Sequence, residues 1–294
     1  MSETETVVAP TTSTAIPAQA ISPDLRLWIL NQTQAGVPLH TLLQNMLAAG
    51  WQEAVALDAL ATTLEAHLGE DGVQKAWAVP SVVHANQKNV LTLHDRRVRV
   101  LMTVHRPAIV VLDGFLSDDE CQGLIDAARP RMLRSLTVDP ATGGSELHDS
   151  RTSDGMFFNV GESELVQRIE RRIEHLVQWP LSRGEGMQVL RYGVGAEYKP
   201  HHDYFDPAAP GTPSILKRGG QRVGTVVMYL NDVAAGGGTS FPELGLTVAA
   251  QRGNAVFFGY PIPHISTKTL HGGAPVLDGE KWVATKWLRQ GDFQ

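Results

Sequence analysis

Five short runs in the C-terminal third of the chain decide the fold: Met187–Tyr192 (MQVLRY), Arg222–Leu230 (RVGTVVMYL), Leu246–Ala250 (LTVAA), Asn254–Tyr260 (NAVFFGY) and Lys281–Leu288 (KWVATKWL). Each is rich in β-branched and aromatic side chains and is bounded by Gly, Pro or Asp turns. Many short strands without intervening helices imply a barrel or a double-sheet jelly roll, not a parallel sheet. The core of that jelly roll is expected over residues 185–290.

Outward from this region, Leu165, Ile169, Ile173 and Leu176 fall at helical spacing. Ser117-Asp118-Asp119-Glu120 reads as a capping box, opening a helix through Leu124, Ile125 and Ala128 that ends before Pro130. Both helices are expected to buttress a sheet. AIVVLDGF (108–115) reads as a buried strand, and VLTLH (90–94) and RVRVLMTV (97–104) alternate around the charged turn Asp95, Arg96 and Arg97. From Asp24 to about Gly69 the pattern is helical, punctuated at Gly36 and Gly50 into three short helices that pack as a small domain rather than recruit a partner. Residues 1–22, mostly Thr, Ala, Pro and Ser, read as a disordered tail. The organisation is therefore a tail (1–22), a small all-α domain (23–88), and a mainly β domain with buttressing helices (89–294), whose core is a double-stranded β-helix.

Lys and Arg number 25 against 31 Asp and Glu, a net charge of −6, so no general field attracts a phosphate backbone, and nucleic acid is not an expected partner. The single cysteine, Cys121, excludes an intramolecular disulfide, a thiolate zinc cluster and an iron–sulfur centre on this chain alone, and suits a reducing compartment. The segment MSETETVVAPTTSTAIPAQAISP lacks the basic and apolar regions of a signal peptide, and no run reaches the ~18 apolar residues of a membrane span. A soluble cytoplasmic protein is expected. Nothing in the sequence specifies an oligomeric state.

His201 and Asp203 stand two apart, a spacing that puts both on one face of a strand and His202 on the other. His271, just before Gly272-Gly273, is a third donor for a 2-His-1-carboxylate triad, which suits non-heme Fe(II) because it leaves coordination positions open. In a chain with 11 histidines, ordinary hydrogen-bonded histidines account for these three residues as well. Lys281 follows His271 by ten residues, across an expected hairpin turned at Asp278-Gly279, so both could face one barrel interior. A buried cation there needs an anion, which the distal carboxylate of 2-oxoglutarate supplies. The other reading is an exposed edge-strand lysine.

The segments FLSDDEC (115–121), RTSDGMFF (151–158), QVLRYGVGAEYKPHHDYFDP (188–207), GGQRVGTVVMYLNDV (219–233), GGGTSFPE (236–243), GNAVFF (253–258) and LHGGAPVLDGEKWVATKW (270–287) occur in an order that resembles the prolyl 4-hydroxylases of the 2-oxoglutarate oxygenase superfamily, in the form of their bacterial members. The resemblance runs from about Ala108 to Leu288. It implies that His201, Asp203 and His271 bind Fe(II), that Lys281 anchors the C5 carboxylate of 2-oxoglutarate, and that Tyr192 helps to hold that co-substrate. Thr225, on a strand beside the pocket, contributes a hydroxyl or fills the core. On the substrate side the resemblance points to Arg151, Ser153, Glu185, Tyr198, Arg222 and Trp287, the last sharing strand parity with Lys281.

The implied activity is hydroxylation of a C–H bond with Fe(II), 2-oxoglutarate and O2, with ascorbate as reductant, on proline residues of a protein or peptide. Aromatic rings beside Arg and Glu suit an extended, proline-rich segment. A free amino acid or other small metabolite is the alternative substrate, and a non-catalytic metal- or 2-oxoglutarate-binding sensor the alternative of another class. Phe205 to Arg222 reads as a long loop after the metal strand, either a lid or an inert surface excursion.

Overall fold

Residues 19–35, 37, 39–77, 79–82, 87–139, 141–146 and 150–293 are described by the computed structural model of the chain. Of the tail expected over 1–22, all but the last four residues lie outside them, as does Gly36. The chain divides into two compact units, Met1–Gly69 and Glu70–Gln294. The division falls before the expected boundary at 88 because Val79 and Val82 already pack into the core of the second unit.

The first unit holds α1 (Pro23–Gln34), α2 (Leu39–Ala48) and the start of α3 (Glu53–Trp77). Ser22 caps α1 by accepting from the Leu25 amide, and Pro23 occupies the first turn, where its missing N–H costs nothing. Gly50, at φ +84°, reverses the chain between α2 and α3. Ile29, Leu42, Leu43, Met46, Leu60 and Leu64 are buried. The third helix is not short: it runs 25 residues, through Gly69 and Gly72, because glycine weakens a helix interior without forbidding it.

The second unit begins with β1 (Val90–Thr92), β2 (Arg97–Val104), β3 (Ala108–Asp113), α4 (Asp118–Ala128), β4 (Leu133–Arg134), β5 (Thr137–Val138), β6 (Ser145–Glu146), β7 (Asp154–Phe158) and α5 (Glu164–Val177). It continues through β8 (Met187–Tyr192), β9 (Tyr198–His201), α6 (Thr212–Leu216), β10 (Arg222–Tyr229), β11 (Ala235–Gly236), β12 (Thr239–Phe241), β13 (Leu246–Val248), β14 (Ala255–Gly259), β15 (His271–Gly273), β16 (Val276–Asp278) and β17 (Lys281–Arg289). A nine-stranded sheet has the order β1-β2-β3-β14-β10-β17-β8-β7-β4, and a four-stranded sheet the order β13-β12-β15-β9. Every pairing in both sheets is antiparallel, which gives the jelly roll its two faces.

Strand parity separates core from site. On β10, Val226 and Met228 join the cluster that packs under α4 and α5, whereas Val227 and Tyr229 join the cluster on the opposite face. On β17, Trp282 and Ala284 take the helix side and Val283 the other. Lys281 and Thr285 share the parity of Val283 and line a pocket with it. Each fully buried aliphatic side chain contributes roughly 1.5–3 kcal/mol, so a one-residue slip in either strand would forfeit several of them at once.

The helices are fixed to this framework by caps and buried ion pairs, among them Lys286 of β17 with Glu170 of α5. The capping box on Ser117 and Glu120 forms as the sequence predicts. Ser163 caps α5, and Gln178 ends it in the left-handed region at φ +50°. Arg172, on α5, donates to Glu120 Oε1 at 2.7 Å, to Asp95 Oδ2 at 2.6 Å and to the Phe115 carbonyl at 2.7 Å, tying α4, α5 and the β1–β2 turn together.

The expected hairpin between His271 and Lys281 is absent from the pairing. Gly279 does turn the chain, at φ +81°, but β16 pairs with β11 and β17 pairs with β10 and β8. The ten residues carry the chain from the smaller sheet to the larger, so His271 and Lys281 approach one cavity from two sheets.

Candidate active site

In the smaller sheet β9 and β15 run side by side with His201 opposite His271, and Asp203 follows two residues later. A ligand atom from each of the three lies within 4.8 Å of the others, the one such cluster among the described residues. His201 Nε2 stands 3.5 Å from Asp203 Oδ1, and His271 Nε2 stands 3.4 Å from Oδ2. Both imidazoles use Nδ1 on a backbone carbonyl, His201 on Lys199 at 2.9 Å and His271 on Thr269 at 3.0 Å. A carbonyl only accepts, so each Nδ1 carries the proton and each Nε2 presents its lone pair inward. Burial pushes the His271 imidazole down to about 4, which keeps it neutral.

Behind the triad is an inner pocket lined by Tyr192, Tyr198, Thr225, Thr239, Lys281 and Thr285, among others. Lys281 is only 3% exposed, and its ammonium makes no hydrogen bond or ion pair with another described residue. It lies 5.4 Å from the centre of the Tyr192 ring, and burial pushes it down to about 8. A buried cation without a counter-ion is a receptor for an anionic ligand.

Outside the triad two grooves meet. One, of about 580 Å³, is lined by Glu146, Lys199, His202, Asp206, Thr212 and Ile265. The other, of about 510 Å³, is lined by Arg131, Leu133, Arg134, Arg151, Phe157 and Trp287. Thr137, Tyr198 and Arg222 border both.

The 2OG-Fe(II) oxygenase superfamily matches residues 187–289, the stretch that contains the triad and Lys281. Prolyl 4-hydroxylase 5 of Arabidopsis thaliana is 41% identical over 209 residues, covering 64% of this chain and 70% of the relative. Prolyl 4-hydroxylase 1 of the same plant is 42% identical over 227 residues, covering 70% of this chain and 77% of the relative. The chain belongs to the prolyl 4-hydroxylase family. Among solved structures, a viral collagen prolyl hydroxylase from Paramecium Bursaria Chlorella virus-1, in complex with 2OG, aligns over 62% of this chain and 95% of that one, with 30% identity and a TM-score of 0.48.

As a member of this family the protein is a 2-oxoglutarate-dependent dioxygenase that uses Fe(II), 2-oxoglutarate and O2. Its residues fit both groups. Two imidazole Nε2 atoms and a carboxylate form the donor set that suits Fe(II), and the unpaired Lys281 suits a carboxylate in the inner pocket. The Tyr192 hydroxyl makes no hydrogen bond with a described residue and borders the same pocket.

Of the substrate-side residues, Tyr198, Arg151, Arg222 and Trp287 border the grooves. Tyr198 stacks on His201 at 3.6 Å between ring centres, and its phenol is pushed up to about 12 by burial. Arg151 lies over the Tyr198 ring and donates to Gln188 Oε1 at 2.8 Å. Arg222 stacks at 4.0 Å on the Trp287 ring.

Two of the substrate-side residues are engaged within the protein. Ser153 is fully buried and bonded to Ser135 at 3.0 Å, so it faces no groove. Glu185 is buried beneath Arg222, accepting from its Nε at 2.6 Å and its Nη2 at 2.9 Å, and also pairs with Arg289 at 2.7 Å, so both its oxygens are occupied within the protein. Thr225 borders the inner pocket, but its hydroxyl is engaged with Asp203 and Tyr260.

Thr239 and Tyr260 escaped the sequence reading. Thr239 lines the inner pocket beside Lys281 and accepts from the Tyr229 hydroxyl at 2.8 Å, which leaves its own O–H free to donate to a ligand. Its place in GGGTSFPE, a segment of the family resemblance, was the available signal. The segment between Phe205 and Arg222 contains α6, and its ends are stapled by Gln221, which accepts from the Phe205 amide at 2.7 Å and donates to the Phe205 carbonyl at 2.8 Å.

Proposed function

We propose that this enzyme hydroxylates proline residues within an extended peptide or protein segment, with iron held by His201, Asp203 and His271 and the distal carboxylate of 2-oxoglutarate on Lys281. The observation that carries the substrate side is the meeting of two open grooves at Tyr198 and Arg222, beside the triad. Such a shape admits a chain that passes through, whereas a free amino acid is better held by a closed pocket. Tyr198 and Trp287 offer flat rings for a polyproline segment, whose backbone is already fixed and loses little entropy on binding.

Bound together, iron and 2-oxoglutarate supply the oxidising chemistry that places one atom of dioxygen in a C–H bond while succinate and carbon dioxide leave. The chain contributes position. Lys281 aims the co-substrate from the larger sheet, the histidines and Asp203 fix the metal from the smaller one, and Tyr198 separates the buried pocket from the grooves. Ascorbate as reductant and a reducing, cytoplasmic compartment belong to this reading. The latter is supported by the single Cys121, buried with its thiol pushed up to about 11 by burial.

Succinate release from 2-oxoglutarate with Fe(II), measured without substrate, with proline-rich peptides and with free proline, tests the proposal. Peptide-stimulated succinate with one oxygen added to the peptide mass is expected. Stimulation by free proline alone would transfer the activity to small molecules.

A further inference from the structure

Asp203 has two carboxylate oxygens, and only one of them is left free of the protein's hydroxyls. Thr225 Oγ1 lies 2.7 Å from Asp203 Oδ2, and the Tyr260 hydroxyl lies 2.7 Å from the same Thr225 oxygen. An ionised carboxylate only accepts, so Thr225 gives Oδ2 its single proton, and Tyr260 must therefore donate to Thr225. The direction of the relay is thus fixed from Tyr260 through Thr225 to Asp203. Thr225 and Tyr260 are 0% and 1% exposed, so no water competes at the surface for these bonds. Thr225 sits in the middle of β10, hydrogen-bonded on both sides by β14 and β17, and the Tyr260 amide donates to the Val223 carbonyl at 3.1 Å. The relay is therefore anchored in the larger sheet, whereas Asp203 hangs from the end of β9 in the smaller one.

We propose that Thr225 and Tyr260 are positioning residues that select Oδ1 of Asp203 as the metal-binding atom and hold the carboxylate monodentate. Without the bond on Oδ2 the carboxylate is free to rotate, and the orientation that presents Oδ1 is no longer held. Tyr260 lies outside the triad and outside the pocket lining, and its role is to keep the Thr225 hydroxyl turned toward Asp203. The inference rests on the metal reading of the triad and not on the identity of the substrate.

Co(II) serves as the probe, added to the full chain, with its affinity from titration and its electronic absorption spectrum as readouts independent of turnover. Thr225→Val, nearly isosteric but without the hydroxyl, should bind Co(II) roughly ten- to a hundredfold more weakly and with an altered spectrum, as loss of a ligand-orienting partner does elsewhere. Thr225→Ser should restore both readouts, which a packing role would not. Tyr260→Phe should change them in the same direction by less, and decides alone if Thr225→Val fails to fold. Wild-type affinity and spectrum in folded Thr225→Val or Tyr260→Phe, or no restoration by Thr225→Ser, would overturn the proposal. Wild-type protein that takes up no Co(II) would sink it together with the triad, whereas a failure confined to peptide hydroxylation would leave it standing.

Discussion

The ammonium of Lys281 is buried, and burial pushes it from its ordinary 10.5 down to about 8. Binding the distal carboxylate of 2-oxoglutarate needs its charged form, so the KM for 2-oxoglutarate should stay level below about pH 8 and climb above it; a KM indifferent to pH through that range would move the anchor elsewhere. Without the co-substrate, the same burial acts on folding. The folded-state value lies below the unfolded one, so between the two the unfolded chain binds the extra proton, and this lysine subtracts stability below about 8 and ceases to do so as pH rises through 10.5. Lys281→Ala should raise the 2-oxoglutarate requirement strongly, because the carboxylate is then left unpaired in a desolvated pocket. His201→Ala or Asp203→Ala, which remove donors rather than core volume, should abolish turnover and Co(II) uptake with native circular dichroism retained. The pairing of His201 with Asp203 was legible from the sequence because extended backbone puts residues two apart on one side, although β9 itself stops at His201 and Asp203 lies just beyond it. The engagement of Ser153 and Glu185 was not legible for the opposite reason: their partners, Ser135, Arg222 and Arg289, are distant in sequence, and only the folded chain shows their hydroxyl and carboxylate engaged.

Among the elements, α4, α5 and the β1–β2 turn converge on Arg172, whose side chain is 2% exposed. Arg172→Ala would leave the buried Glu120 carboxylate without its principal partner, and a loss of about 3–5 kcal/mol is expected in denaturant unfolding, with the active-site geometry spared. Burial would raise Glu120, but Arg172 and its capping bonds hold it down to about 2. That depressed value adds stability above the unfolded value near 4.5, and the contribution should be lost as pH falls from there toward 2. The capping box was legible because all its atoms lie within four residues. The Asp278-Gly279 turn was also legible, yet it gave the wrong hairpin: turn chemistry dictates that the chain reverses and leaves open which strand receives it. For β17 the neighbours are β10 and β8, chosen by the fit of Trp282 and Ala284 to the helix-side core.

For the molecule as a whole, alternation in five C-terminal runs was enough to indicate a jelly roll, since a strand with two buried faces and a strict parity has few other homes. The length of α3 and the boundary between the units were harder to read, because helical propensity declines gradually where the chain passes from one core to the next. Every residue assigned to metal, co-substrate or groove lies in the second unit. A chain beginning at Val79, which keeps Val82 in its core, should therefore bind Co(II) and 2-oxoglutarate with unchanged affinity in titrations; weaker binding would assign the helical unit a part in the site. One property of the grooves belongs to no single residue. The groove bordered by Trp287 presents Arg131, Arg134 and Arg151 and, among the described residues, no carboxylate, while the other presents Glu146 and Asp206 beside Lys199, with Arg222 at the border of both. A polymer laid across the triad meets a basic groove on one side and one of mixed charge on the other, so the enzyme can tell head from tail: a peptide acidic on one flank of its proline and neutral on the other should turn over faster than the same peptide with its flanks exchanged, and more salt should erase the preference.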